Sequence, residues 1–302
     1  MTNLVESVLR GISTRAEHQV GRVVEQYRER ARKAVKGAAM LSFTRRGQRR
    51  QVTVRCVAGA PEVVLDTFVA DELGSALTAY REPFLRAAEA LGALEQIPVE
   101  LSEATRRDFL RECPAGAARE VEAFLRQMVS RIDMAAVTYR ILSVDGDPLG
   151  TYQPSRKSGT ITLYWQMIAL CASQLDVSTE ALTLKVLAHE CAHALCHLGL
   201  DAEGEDWELD RFWAADRFVH EGLANYLSWS AIDSSNDWLM LEATAALEAI
   251  WPRQPAPYHE FDLWRERKVR AETVRDALRK ARTWPEVTAT GFRALLGIDG
   301  LR

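Results

Sequence analysis

The chain has 302 residues, 47% hydrophobic and 26% charged, which is the balance of a folded globular protein and excludes a disordered or low-complexity one. Its five cysteines (Cys56, Cys113, Cys171, Cys191, Cys196) are odd in number and form no CxxC pair, so neither a disulfide framework nor a zinc ribbon is expected. The net charge of −4 conceals an asymmetry: residues 1–60 hold 13 Lys/Arg against 4 Asp/Glu, a net of +9, and the remainder carries −13.

Residues 1–40 read as helical, with Leu4, Val5, Val8, Leu9, Val20, Val23 and Val24 spaced three or four apart. Met1 to Val20 is charged throughout and lacks the apolar core of a secretion signal. No run reaches the length of a membrane span, so a cytoplasmic location is expected. The richness in Ala, Arg and Glu fits a bacterial, GC-rich coding sequence. Arg45-Arg46 and Arg49-Arg50 follow. Such a basic segment can meet nucleic acid, an anionic membrane or an acidic partner, or it can face the acidic remainder of its own chain. No aromatic residues interleave with the charges as a nucleic-acid stacking surface requires, which favours the last reading.

Gln51–Val57 alternates and predicts a strand. Helices are expected over 63–94, 102–111 and 116–134, then a strand over Val137–Val144 and a turn at Asp145-Gly-Asp-Pro148. All eight tryptophans and five of the six histidines lie beyond residue 150. That shift divides the expected organisation into a mostly helical N-terminal domain, 1–134, selecting a substrate or partner, and a site-bearing domain, 135–302. The fold class is α+β, mainly helical, with a small sheet. Gly159–Trp165 reads as a strand just ahead of the next helix, either an ordinary core strand or a sheet edge that could pair with an extended peptide.

Ser178–Leu198 is apolar almost all round, with an N-cap residue at Ser178 and Gly199 at the C′ position, and predicts a helix buried in the core. Within it lies His189-Glu-Cys-Ala-His193, an HExxH. Two histidines four residues apart share one helix face and can grip a single divalent metal. Glu190 then stands beside a water on that metal and can take its proton. Buried His and Glu are costly unless satisfied, and one ion satisfies all three residues. His197 is four residues further on, but it lies about 12 Å along the helix from His189, too far to share the ion. The glycine and third histidine of the metzincin pattern would fall on Cys196 and Gly199, so that pattern is not met.

A third ligand is expected from a second apolar-periodic helix, Arg217–Ser228, where Glu221 faces inward and Asn225 can hold a ligand histidine through its other ring nitrogen. His220 is the rival in that segment but points elsewhere. Asp201–Asp210 is an acidic loop between the two helices.

An HExxH followed by Glu221-Gly-Leu-Ala on a later helix resembles the gluzincins, the thermolysin- and aminopeptidase-like branch of the zincin (peptidase MA-like) metallopeptidases. The resemblance implies Zn²⁺ held by His189, His193 and Glu221, Glu190 as general base, and a protein or peptide substrate. It also places an oxyanion donor where Tyr258 and His259 lie, in the Pro-rich stretch Trp251–Glu260. The gap between His193 and Glu221 is wider than in thermolysin. Glu221-Gly-Leu-Ala-Asn225 also resembles the ExxAN of ImmA/IrrE-like regulators, which act on one specific protein target. DNA-linked proteases of the SprT type differ by a histidine third ligand. The remaining reading is a non-catalytic metal-binding interaction protein, for which Glu190 has no use.

Overall fold

The computed structural model describes residues 14–67, 134–233 and 237–298. In chain order these form α1 (Thr14–Ala39), the short strands β1 (Thr44–Arg45) and β2 (Gln48–Arg49), β3 (Gln51–Val57), α2 (Glu62–Thr67), α3 (Met134–Leu142), β4 (Gly150–Ser155) and β5 (Ser158–Tyr164). Eight helices follow: α4 (Trp165–Leu175), α5 (Thr179–Leu198), α6 (Leu209–Ala214), α7 (Arg217–Asp233), α8 (Trp238–Ile250), α9 (Glu260–Glu266), α10 (Ala271–Ala281) and α11 (Ala289–Leu296). Two 3₁₀ turns, Trp251–Arg253 and Ala256–His259, join α8 to α9. The described part is mainly helical with a small sheet. The helices expected within 63–133 lie outside the described residues, apart from Glu62–Thr67 at their start.

The all-round apolar character of α5 has the consequence expected of it. Every residue from Ala181 to Leu198 is buried, and α1, α7 and α8 pack around it. Each fully buried leucine or valine stabilises such a centre by roughly 1.5–3 kcal/mol. At its start the Ser178 hydroxyl accepts the Ala181 N–H, as the N-cap predicts. At its end Gly199 is not left-handed, as a C′ glycine commonly is, but has φ −66°. It is required by close approach instead: a Cβ there would stand 2.4 Å from the Leu195 carbonyl and 2.8 Å from Leu41 Cβ. The last carbonyls of α5 are capped by buried Arg282, whose guanidinium donates to Leu195 O (3.2 Å), Cys196 O (2.6 Å) and Gly199 O (2.8 Å).

The sheet has the order β3-β5-β4, with β3 parallel and β4 antiparallel to β5. Of the two readings for β5, the core strand is the one found: β5 is central, and its consecutive residues Ile161, Thr162 and Leu163 are all buried. The edge strand on the α5 side is β4, which the sequence marks only by the turn preceding it. It carries Pro154, a residue an edge strand tolerates because it lacks an N–H to donate. Val137–Val144, expected as a strand, is mostly helix α3. Its β-branched composition is overridden by packing, with Thr138, Ile141 and Leu142 buried at helical spacing and Tyr139 exposed.

β3 pairs with β5 along its whole length and α1 lies against α5. Residues 14–57 thus share sheet and core with residues 150–198. The basic segment faces its own chain. Arg50 pairs with Asp206 at 2.6 Å, Arg46 donates to the Glu203 carbonyl and Gln48 to the Gly204 carbonyl, tying the β1–β2 hairpin to the acidic loop. Among the described residues no helix is long and apolar enough to cross a membrane.

Candidate metal centre

Three elements converge beside the middle of α5. His189 and His193 project from one face of α5, and their Nε2 atoms lie 3.1 Å apart. Glu221, near the start of α7, brings Oε2 to 3.2 Å from His189 Nε2 and 3.6 Å from His193 Nε2. The turn between α3 and β4 adds Asp147. One donor atom from each of Asp147, His189, His193 and Glu221 falls within 4.8 Å of the others, a group that could hold a metal ion. The two histidines and Glu221 are buried.

Electrostatics in this pocket treats the two histidines in opposite ways. Burial pushes His189 down to about 3, reinforced by the Lys185 ammonium, so its imidazole is neutral and keeps a lone pair for a cation. Burial alone would lower His193 too, but the Glu221 carboxylate overrides it and holds His193 up to about 9. Glu221 is itself held well below the usual carboxylate range: burial opposes this, and the His193 charge wins. Three carboxyls, Asp147, Glu190 and Glu221, share the region with the cations Lys185 and Arg217, the latter 3.7 Å from Glu221 Oε1.

Glu190 lies beside this cluster. Burial, with the Asp147 carboxylate, raises its pKa well above the ordinary value, and its Oε2 is buried without a hydrogen-bond partner among the described residues. Gly150, the first residue of β4, lets the strand pass close by. A Cβ there would stand 2.7 Å from Val186 Cγ1 and 3.2 Å from Glu190 Cγ. Glu190, His189, Lys185, Asp147, Gly150 and Tyr258 are among the residues lining a cavity of about 20 Å³, room for about one water.

Tyr258 belongs to this site and His259 does not. The Tyr258 ring stacks on His189, with centroids 5.8 Å apart and planes 20° apart. Its hydroxyl donates to the Asp147 carboxylate and lies 3.0 Å from the Gly146 carbonyl. Burial, with the Asp147 and Glu221 carboxylates, keeps this phenol protonated far above its usual range. The His259 ring turns away. Its Nδ1 meets Trp251 Nε1 (3.0 Å) and Asp262 (2.9 Å), and its Nε2 meets the Gln254 carbonyl (3.0 Å). Neighbours in a 3₁₀ turn point in different directions, so only one of the pair faces the cluster.

Asn225 does not hold a ligand histidine as expected. Its Nδ2 donates to the Tyr258 carbonyl at 2.9 Å, and His189 Nδ1 is buried without a partner among the described residues. Asn225 thus fixes the backbone of the tyrosine that stacks on the histidine. His197 is outside the cluster and buried, with Nδ1 2.8 Å from the Tyr152 hydroxyl and its ring over Phe212. His220 likewise faces away, with Nε2 2.9 Å from the Phe212 carbonyl.

Asp147, Lys185 and Arg217 were missed by sequence reasoning. Lys185 and Arg217 sit one turn before His189 and Glu221, a spacing that puts each on the ligand's own helix face. That signal was present. Asp147 carried none beyond a turn-forming Asp-Pro. Compared with known protein families, curated proteins and solved structures, the chain matches none.

Proposed function

We propose that this chain is a zinc-dependent peptidase in which His189, His193 and Glu221 hold the metal and Glu190 is the general base. The observation that carries the proposal is the arrangement of those four side chains. Ligand bonds of about 2.0–2.1 Å to a tetrahedral ion imply ligand–ligand edges of about 3.3–3.4 Å. The cluster has edges of 3.1, 3.2 and 3.6 Å. Beside it stands a buried carboxyl oxygen with no other partner among the described residues, which a purely structural metal site does not need.

A zinc ion held there would supply Lewis acidity, polarising a carbonyl and lowering the pKa of a water. The chain's own residues account for the rest. Glu190, its affinity for protons raised by burial, takes the proton of the attacking water and passes it to the leaving amine. Tyr258, kept protonated and fixed through Asn225, is the oxyanion donor of the pair expected from sequence. An extended peptide would add to the outer edge of β4, whose first residue lies against Glu190.

A narrower version draws support from the shape of the site. The cavity beside His189 and Glu190 has room for about one water, and the turn carrying Asp147 lines it. This favours a regulatory protease opened by one protein target, as in the ImmA/IrrE-like reading, over a general peptidase. Glu190→Gln tests the mechanism. Peptide turnover is expected to fall by at least about 10²–10⁴-fold, the usual contribution of a general base, with zinc content unchanged. A Gln variant as active as the wild type would overturn the assignment.

A further inference from the structure

Asp147 is the fourth donor of the cluster, where a three-ligand catalytic site needs only three. We infer that Asp147 is a fourth protein ligand that closes the metal site at rest, and that turnover requires the turn carrying it to withdraw. The inference rests on the metal site proposed above and goes beyond it, because neither the HExxH nor the Glu221 helix implies a second carboxylate.

Three observations converge. An Asp147 carboxylate oxygen is within 4.8 Å of all three other donors, a grouping that one ion could draw together. Two carboxylates so close in a buried pocket repel each other unless a proton or a cation lies between them. The turn is also held down on the site. The Tyr258 hydroxyl donates to Asp147 Oδ1 and lies against the Gly146 carbonyl, and Arg217 ties Asp145 to the helix that carries Glu221. Tyr258 occupies one carboxylate oxygen and aims the group at the cluster, while a carboxylate offers a second oxygen to the metal. Finally, the cavity behind the turn has room for about one water. A closed His/His/Glu/Asp set, a latched turn and a cavity of about one water beneath it describe one resting state. When the turn lifts, the same movement vacates the fourth position and releases the Tyr258 hydroxyl to donate to whatever enters.

The test uses the full chain loaded with Co²⁺, wild type and Asp147→Asn, an isosteric change. Two quantities are read: the metal dissociation constant by chelator competition, and acetohydroxamate binding followed by the visible Co²⁺ spectrum. The variant is expected to bind metal about 10–100-fold more weakly and acetohydroxamate at least about tenfold more tightly, since its fourth position is open. A crystal structure of the zinc-loaded wild type keeps the inference falsifiable should the variant not fold. It is expected to show an Asp147 oxygen about 2.0–2.2 Å from the metal. Unchanged affinities for both ligands, or a water in place of Asp147, would overturn the inference and leave the three-ligand site standing. Failure of the folded wild type to bind metal would overturn both.

Discussion

One helix buries three histidines at four-residue spacing and treats them in opposite ways. In the middle of α5, His189 and His193 turn their ring nitrogens towards each other and towards Glu221, a grouping in which several donors compete for one charge. At its C-terminal end, His197 has a partner of its own in Tyr152, and three terminal backbone carbonyls are shared by the one guanidinium of Arg282. The difference teaches that spacing nominates ligands and the neighbouring element selects them. Where α7 delivers a carboxylate, the polar groups converge and stay unsettled without a cation. Where β4 delivers a phenol and α10 is followed by an arginine, His197 Nδ1 and the terminal carbonyls already have partners.

The sharpest way to break this comparison is to damage the satisfied end. Arg282→Ala strips the buried Cys196 and Gly199 carbonyls of their guanidinium donor and leaves Leu195 O with only the Gly199 N–H, and a loss of about 3 kcal/mol in unfolding free energy is expected from chemical denaturation. Metal affinity should be unchanged, because Arg282 touches only the far end of α5. A variant that keeps its stability, or loses its metal while folded, would contradict the division of the helix into two regions.

A second effect comes from pH. Burial, with Arg282 nearby, pushes His197 down to about 4 from its ordinary 6.5. Between those values the unfolded chain takes up a proton that the folded chain refuses. The stability tied to neutral His197 is therefore complete above about pH 6.5 and is lost as pH falls towards 4, by about 3 kcal/mol. Denaturation series across that window should show a shallower slope for His197→Asn than for the wild type. Identical slopes would show that His197 is not held neutral by the fold.

How much of this is legible in the sequence depends on how local each signal is. The helix α5, its N-cap, the HExxH and the Glu221 segment depend on neighbours a few residues apart, and all are where periodicity puts them. β3 and β5 are also readable, from apolar alternation and a short apolar run. Which strand forms the edge is not, because pairing order is a property of the whole sheet. The helix over Met134–Leu142 is hidden by β-branched residues whose preference yields to packing. Asp147 is hidden more deeply, since its partners lie 42 to 111 residues away and a lone aspartate before Pro148 reads as turn chemistry. The choice between Tyr258 and His259 needs the 3₁₀ geometry that points one inward and the other at Trp251.

The central claim is that His189, His193 and Glu221 form one metal site while His197 stays outside it. The most direct measurement is zinc per chain, by elemental analysis, in the wild type, Glu221→Ala and His197→Ala, each checked for folding. One zinc is predicted in the wild type and in His197→Ala, with a sharp fall in Glu221→Ala. Unchanged zinc in folded Glu221→Ala, or its loss in His197→Ala, would contradict the claim.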